Sequence, residues 1–353
     1  MDFRLLVPLD GSALSECAIA WSDVLAGALP ARVDLLTVVP QVEMPELSSD
    51  DVYDYYGEQE VAAASRALAR LRGRFTRATQ IETDVVVGAP ADMIIERARA
   101  TSADLIVMAT HNRGGLPRVL MGSVTGRVIR RSGTPVLAIR PDLLAPPQAP
   151  RRILVPLDGS ELAAAVVPYA CKMADTLKAT LVLFTVADRG PMGPLLAKIE
   201  STAEAIGNQR IEVEVYHSDG DPGSAIAVFA AHSDCSLIAM STHGRAGLGR
   251  WTVGSVTDWV IHYAPVPVMA IRPLQVPAAA LSFAAHEPET PDARPVVVTF
   301  TDKQAQLARM AFEHLAWSAT RHDHLAQEIR GALAALDTAR ESASEPTALS
   351  ARR

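Results

Sequence analysis

The chain has 353 residues, of which 49% are hydrophobic and 21% charged, a soluble globular composition long enough for two domains of ordinary size. Its formal net charge of -7 argues against a protein that coats nucleic acid through clustered Lys and Arg. Three cysteines without a CxxC spacing (Cys17, Cys171, Cys235) exclude a disulfide framework or a thiolate zinc site.

The N-terminal stretch lacks a basic leader with an apolar core, and no run approaches the length of a membrane span. Export and membrane insertion are not expected; a reducing cytoplasm is. The first strand is predicted at 5–9, running into VPLDGS, with Ser12 placed to cap the first helix. Further strands are expected at 33–39, 81–87, 105–109 and 136–139, with helices between them. The third helix follows GAPAD, with Pro90 near its first turn and Ala98 inside it. Residues 41–60, QVEMPELSSDDVYDYYGEQE, form an acidic insertion bearing Tyr53, Tyr55 and Tyr56, expected to be a helix start or a flap over a site. PDLLAPPQAPRR then reads as a short, stiff, proline-rich linker.

From Arg151 the pattern begins again. VPLDGS recurs, and DLIVMATHNRGGLPRVLMGSVTGRVIRRSGTPVLAIRP matches SLIAMSTHGRAGLGRWTVGSVTDWVIHYAPVPVMAIRP in the same order. Asp10 to Gly122 spans 112 positions and Asp158 to Gly254 spans 96, so the first copy carries 16 extra residues, placed at the acidic insertion. The second copy is predicted to have strands at 153–157, 181–185, 211–216, 237–240 and 268–271. The expected organisation is a first domain at 1–141, a linker at 142–150, a second domain at 151–273, a spacer at 274–300 and a helical tail at 301–353. In the tail, Leu307, Phe312, Leu315, Trp317, Leu325, Ile329, Leu333 and Leu336 predict a helix laid on its own domain, or one that docks a protein partner. His314, His322 and His324 of that segment make no ordered metal motif.

Strands alternating with amphipathic helices define an α/β fold with two doubly wound, open parallel sheets in tandem, Rossmann-like in kind, whose ligands bind beyond the carboxyl ends of the strands. Asp10 and Asp158 stand there, placed to accept hydrogen bonds from ribose hydroxyls; a turn or helix-cap role is the alternative. The fourth strand of each copy leads into a loop, ATHNRGGLPRVLMGSVT or STHGRAGLGRWTVGSVT. Its glycines let backbone N–H groups approach phosphate, and Gly122-Ser123 and Gly254-Ser255 open a helix whose N-terminus favours an anion. Ser123, Thr125, Ser255 and Thr257 are expected to add hydroxyl donors; an ordinary turn and N-cap is the alternative.

These residues resemble the universal stress protein family, whose ATP-binding members carry a Gly-x2-Gly-x9-Gly-Ser/Thr loop after the fourth strand and an Asp at the end of the first. The second copy reads Ser241-x2-Gly244-x9-Gly254-Ser255 and the first Ala109-x2-Asn112-x9-Gly122-Ser123. The resemblance spans nearly all of 1–273 and no part of the tail. It implies an adenine nucleotide alpha hydrolase-like fold, with Val38 and Val186 bordering an adenine, Met108 and Met240 beside it, and Pro8, Pro156, Val124 and Val256 completing the two sites. It further implies ATP as the ligand, with Mg2+ as its candidate companion, the second copy being the fuller site. Family members pair through the last strand, so VLAIRP and VMAIRP imply an intrachain pseudo-dimer.

No GxxxxGK[ST] loop, kinase signature or GxSxG elbow occurs. His111 and His243 are taken as turn or phosphate-neighbour residues rather than general bases, so at most slow ATP hydrolysis is expected. Two functions remain: a nucleotide-binding stress-response sensor, favoured by Gly244, Gly254 and Ser255, and a nucleotide-independent interaction scaffold, favoured by loss of the first loop glycine in both copies. Neither nucleic acid nor membrane is an expected partner.

Overall fold

The strands are short apolar runs, several buried on both faces as a parallel sheet covered by helices requires. A computed structural model describes residues 3–40, 50–78, 80–110, 122–143, 147–187, 192–207, 213–219, 221–242 and 254–273, all within the unit Met1–Ala285. The first repeat comprises β1 (Phe3–Pro8), α1 (Cys17–Ala28), β2 (Ala31–Val39), α2 (Asp50–Arg72), β3 (Gln80–Val87), α3 (Pro90–Ala100), β4 (Leu105–Ala109), α4 (Ser123–Arg131) and β5 (Val136–Ile139). The second comprises β6 (Arg152–Pro156), α5 (Glu161–Ala164), α6 (Val167–Leu177), β7 (Thr180–Ala187), α7 (Met192–Gly207), β8 (Val213–Asp219), α8 (Pro222–His232), β9 (Leu237–Ser241), α9 (Ser255–Tyr263) and β10 (Val268–Ile271).

All ten strands join one sheet in the order β3-β2-β1-β4-β5-β10-β9-β6-β7-β8. Within each repeat neighbouring strands are parallel. Among the described strands the one antiparallel pairing joins the repeats, with Ala138 opposite Val268, Leu137 opposite Met269 and Val136 opposite Ala270. The expected pairing through the last strands is therefore the seam of the sheet.

Side chains alternate between two apolar layers, as a period of two demands. Leu5, Val7 and Leu183 pack with Trp21, Leu25, Leu68, Ala170 and Ile199 of α1, α2, α6 and α7. Leu6, Leu36 and Phe184 pack with Ile94, Ile129, Ile226 and Val260 of α3, α4, α8 and α9. The repeats share this plan but not its chemistry. Leu36 in β2 neighbours Asp84 in β3, which pairs with Arg97 at 2.9 Å. In the second repeat Phe184 neighbours Tyr216, and both rings lie against Phe229, at centroid distances of 4.5 and 5.0 Å.

Several boundaries differ from the sequence expectation. Leu9 and Leu157 fall just beyond β1 and β6, although each N–H still reaches a carbonyl of the next strand at 2.8 Å. β8 runs Val213–Asp219, three residues past the expected end. Ser12 does not cap α1, which starts at Cys17 after Glu16; its Oγ accepts from the Ser15 N–H at 3.2 Å and caps a separate turn. In the second repeat that turn is α5, capped by Ser160, and Pro168 lies in the first turn of α6, where its missing N–H costs no helical bond. The insertion does supply a helix start, because α2 begins at Asp50. The tail lies outside the described residues.

Asp23 anchors α1 to the segment before β3. Its Oδ1 accepts from the N–H groups of Thr76, Arg77 and Ala78 at 2.9, 2.7 and 3.1 Å, and its Oδ2 from the Thr76 hydroxyl at 2.8 Å. Burial alone would raise the carboxyl pKa, but these donors outweigh it and hold it below the usual range. A group whose folded pKa is depressed stabilises above its unfolded pKa, about 3.9, and loses that contribution as pH falls through the folded value. Asp23→Ala is expected to cost about 2–3 kcal/mol in urea unfolding at pH 7, and the gap to the unsubstituted protein should narrow below about pH 4.

Candidate functional site

Strand order reverses between β1 and β4, and again between β6 and β9. Connections leaving the two strands depart to opposite faces, which opens a crevice at their carboxyl ends. Pro8 and Pro156 are the last residues of β1 and β6; Met108-Ala109 and Met240-Ser241 end β4 and β9. Asp10 and Asp158 follow two positions beyond the prolines.

The Asp-Gly-Ser turn is the same in both repeats. Asp10 Oδ1 accepts from the Ser12 N–H at 3.0 Å and the Ser12 hydroxyl at 2.6 Å; Asp158 Oδ1 accepts from Ser160 at 2.9 and 2.6 Å. Gly11 and Gly159 have φ of +76° and +77°, a left-handed conformation costly to other residues. The turn role is the one these bonds show, and it fixes Oδ1 and thereby the orientation of the whole carboxylate.

Gly122 and Gly254 are the N-caps of α4 and α9, and among the described residues no side chain caps either helix. Ser123 and Ser255 are exposed first-turn residues, while Val124 and Val256 are half-buried. A glycine N-cap brings no side-chain oxygen of its own to the first amides of the helix, and free amides at a helix N-terminus suit an anion. Gly254 itself is fixed by donation from its N–H to the Thr242 carbonyl at 2.7 Å.

Thr125 and Thr257 require a correction. Both are buried, and their hydroxyls donate to the carbonyls of Ala109 and Ser241 at 2.8 Å. In this structure their hydroxyls tie each loop helix to the preceding strand rather than facing the crevice as the sequence led one to expect. Spacing placed them beside Gly-Ser but could not show which way the hydroxyls turn.

Val38 in β2 and Val186 in β7 are half-buried, and Met108 and Met240 buried, all four in the layer that carries α4 and α9. They lie on strands to either side of β1 and of β6 and give the carboxyl ends of that layer an apolar character. Ser241 stands apart from its counterpart Ala109: its hydroxyl is buried, with no hydrogen-bond partner among the described residues, an arrangement costing about 1–3 kcal/mol unless something fills it. Asn112, Gly244, His111 and His243 lie outside the described residues.

Two other features do not contribute. A cavity of about 430 Å³ lined by Arg4, Arg32, Gln80, Thr101 and Asp104 lies at the amino ends of the strands, the edge opposite Asp10. Its arginines pair with Asp34 and Glu82. Burial pushes the thiols of Cys17, Cys171 and Cys235 up to about 11, away from the thiolate form that reacts or binds metal.

A tandem α/β protein with a crevice, a strand-tip Asp and a bare glycine-led helix in each half is the class this geometry defines. The Universal stress protein family matches residues 2–140 and 150–272, and the chain belongs to that family. Similar proteins include a universal stress protein of Mycolicibacterium smegmatis, 24% identical over 77% of this chain and 98% of its own. A universal stress protein of Mycobacterium tuberculosis strain H37Rv is 27% identical over 76% of this chain and 96% of its own. The crystal structure of a universal stress protein from Archaeoglobus fulgidus matches with a TM-score of 0.62 at 22% identity, over 76% of this chain and 98% of that one, a likeness of fold. Among the described residues no helix is long and apolar enough to cross a membrane.

Gly159→Ala is expected to lower stability by about 1–2 kcal/mol through the left-handed φ. Thr257→Val should cost about 1 kcal/mol through the lost strand-to-helix bond. Chemical denaturation of each variant measures both.

Proposed function

We propose that this universal stress protein binds ATP or a closely related adenine nucleotide in the crevice of each repeat, and acts in the cytoplasm as a stress-response regulator whose surface depends on occupancy. The observation that carries the reading is the convergence, twice in one chain, of a strand-tip carboxylate with an uncapped glycine-led helix at a point of strand reversal. Asp10 or Asp158 would accept from ribose hydroxyls, and the first amides of α4 or α9 would receive phosphate. Val38 and Met108, or Val186 and Met240, would give the base an apolar wall. Mg2+ would enter with the phosphates.

The second repeat is the stronger site in this reading. The orphaned Ser241 hydroxyl lies at the end of β9, where the family loop begins with glycine, and a polar ligand in the crevice would satisfy it. The first repeat has Ala109 there and lacks that donor.

The test is calorimetric titration of MgATP into the full chain. Gly254→Val should weaken the tighter binding event by about tenfold or more by crowding the phosphate end, and Ser241→Ala by roughly two- to tenfold. A stoichiometry near two would assign a ligand to each repeat, near one to the second repeat alone. No heat with any adenine nucleotide would overturn the proposal in favour of a nucleotide-independent scaffold.

A further inference from the structure

The seam between the repeats is not symmetric. Arg140, the residue that follows β5, reaches across it and donates from Nη1 to the carbonyls of His262 and Ala264 at 2.5 and 3.3 Å. These carbonyls close the C-terminal end of α9, whose C-cap is Ala264. The guanidinium is held in place by Asp142, through Nε to Oδ1 and Nη2 to Oδ2, both at 2.9 Å. Its hydrogen bonds with Arg140 keep the Asp142 carboxyl below the usual range. A charged fork aligned by a bidentate carboxylate loses little freedom when it takes up further acceptors.

The matching residue of the second repeat is Arg272, after β10. Leu274 stands where the first repeat has Asp142, and among the described residues Arg272 donates to no carbonyl of α4. The grip therefore runs in one direction, from the first repeat onto the loop helix of the second.

α9 has nine residues, a length at which an isolated helix is marginal. At about 1.5 Å per residue its two ends lie about 14 Å apart, so a restraint on the last turn also fixes the axis along which the first amides point. The N-terminal end is tied by Thr257 to Ser241 and by Gly254 to Thr242. The C-terminal end is tied by Arg140, whose charge also complements the helix dipole.

We propose that Arg140 is a positioning residue through which the first repeat sets the nucleotide affinity of the second: by holding the end of α9 it keeps the amides at Gly254–Ser255 arranged for phosphate. This rests on the nucleotide reading given above. It makes the two halves unequal partners. A change in the first repeat that draws Arg140 away from α9 weakens binding in the second, whereas among the described residues no matching arginine holds the end of α4 from the second repeat.

The test uses the full chain in a Gly122→Val background, which confines binding to the second repeat. MgATP titration is run for that protein and for versions carrying Arg140→Gln, Arg140→Lys or Arg272→Gln, with hydrogen exchange of α9 amides measured without nucleotide. Arg140→Gln should weaken binding roughly three- to tenfold and speed exchange along α9. Arg140→Lys, which keeps the charge at the helix end, should recover part of the affinity. Arg272→Gln should leave affinity unchanged. An Arg140→Gln protein that binds MgATP as tightly as its background, whether or not its Tm falls, overturns the coupling and leaves the nucleotide reading standing. Absence of binding in the chain without substitutions overturns both, even where α9 exchange responds to Arg140.

Discussion

The pairing of β5 with β10 is the contact on which the arrangement of both repeats depends. Each of these four-residue strands is wholly buried, and each would otherwise present a row of unpaired N–H and C=O groups at the edge of its own half-sheet. Antiparallel pairing of Val136, Leu137 and Ala138 with the 268–270 strand satisfies those groups. It also relates the halves by an approximate two-fold, so that β1 and β6 both lie three strands from the seam in opposite directions. The edges left open, β3 and β8, carry Glu82, Asp84 and Glu214, charges that discourage further strand addition.

Within that frame the two repeats have kept the backbone of the site and changed its surroundings. Both retain the Asp-Gly-Ser turn with its left-handed glycine, the uncapped helix and the threonine that ties helix to strand. The packing beneath has diverged, from an Arg97–Asp84 ion pair to a Phe184–Phe229–Tyr216 cluster. The half-buried Arg97–Asp84 pair and the aromatic cluster are two different ways of filling the same place in the fold. The second repeat thus has an aromatic cluster behind its crevice, and it is also the one with the Ser241 hydroxyl and the Arg140 bonds.

Contacts between the repeats are not confined to the seam or to Arg140. Lys172 of α6 pairs with Asp104 of the first repeat at 2.5 Å and lies 5.3 Å from the centre of the Phe3 ring. Asp104 in turn accepts from the Arg4 N–H at 2.9 Å. These contacts and the Arg140 bonds bind the halves beyond the three paired residues of the strands, so motion in one repeat has a physical route to the other.

Much of this was legible in the sequence because it is local or repeated. The duplicated VPLDGS and Gly-Ser blocks, the strand and helix order, the acidic insertion and the pairing of VLAIRP with VMAIRP follow from periodicity, from turn chemistry within a few residues, and from resemblance to a family. The tertiary structure decided what depends on distant segments meeting. The Asp23 carboxylate finds its donors more than fifty positions away, the Thr125 and Thr257 hydroxyls turn back to strands 16 positions earlier, and Arg140 closes a helix 122 positions along the chain. No local pattern encodes such partners, because a side chain's hydrogen-bond direction is set only when the chain brings a partner within about 3 Å of it.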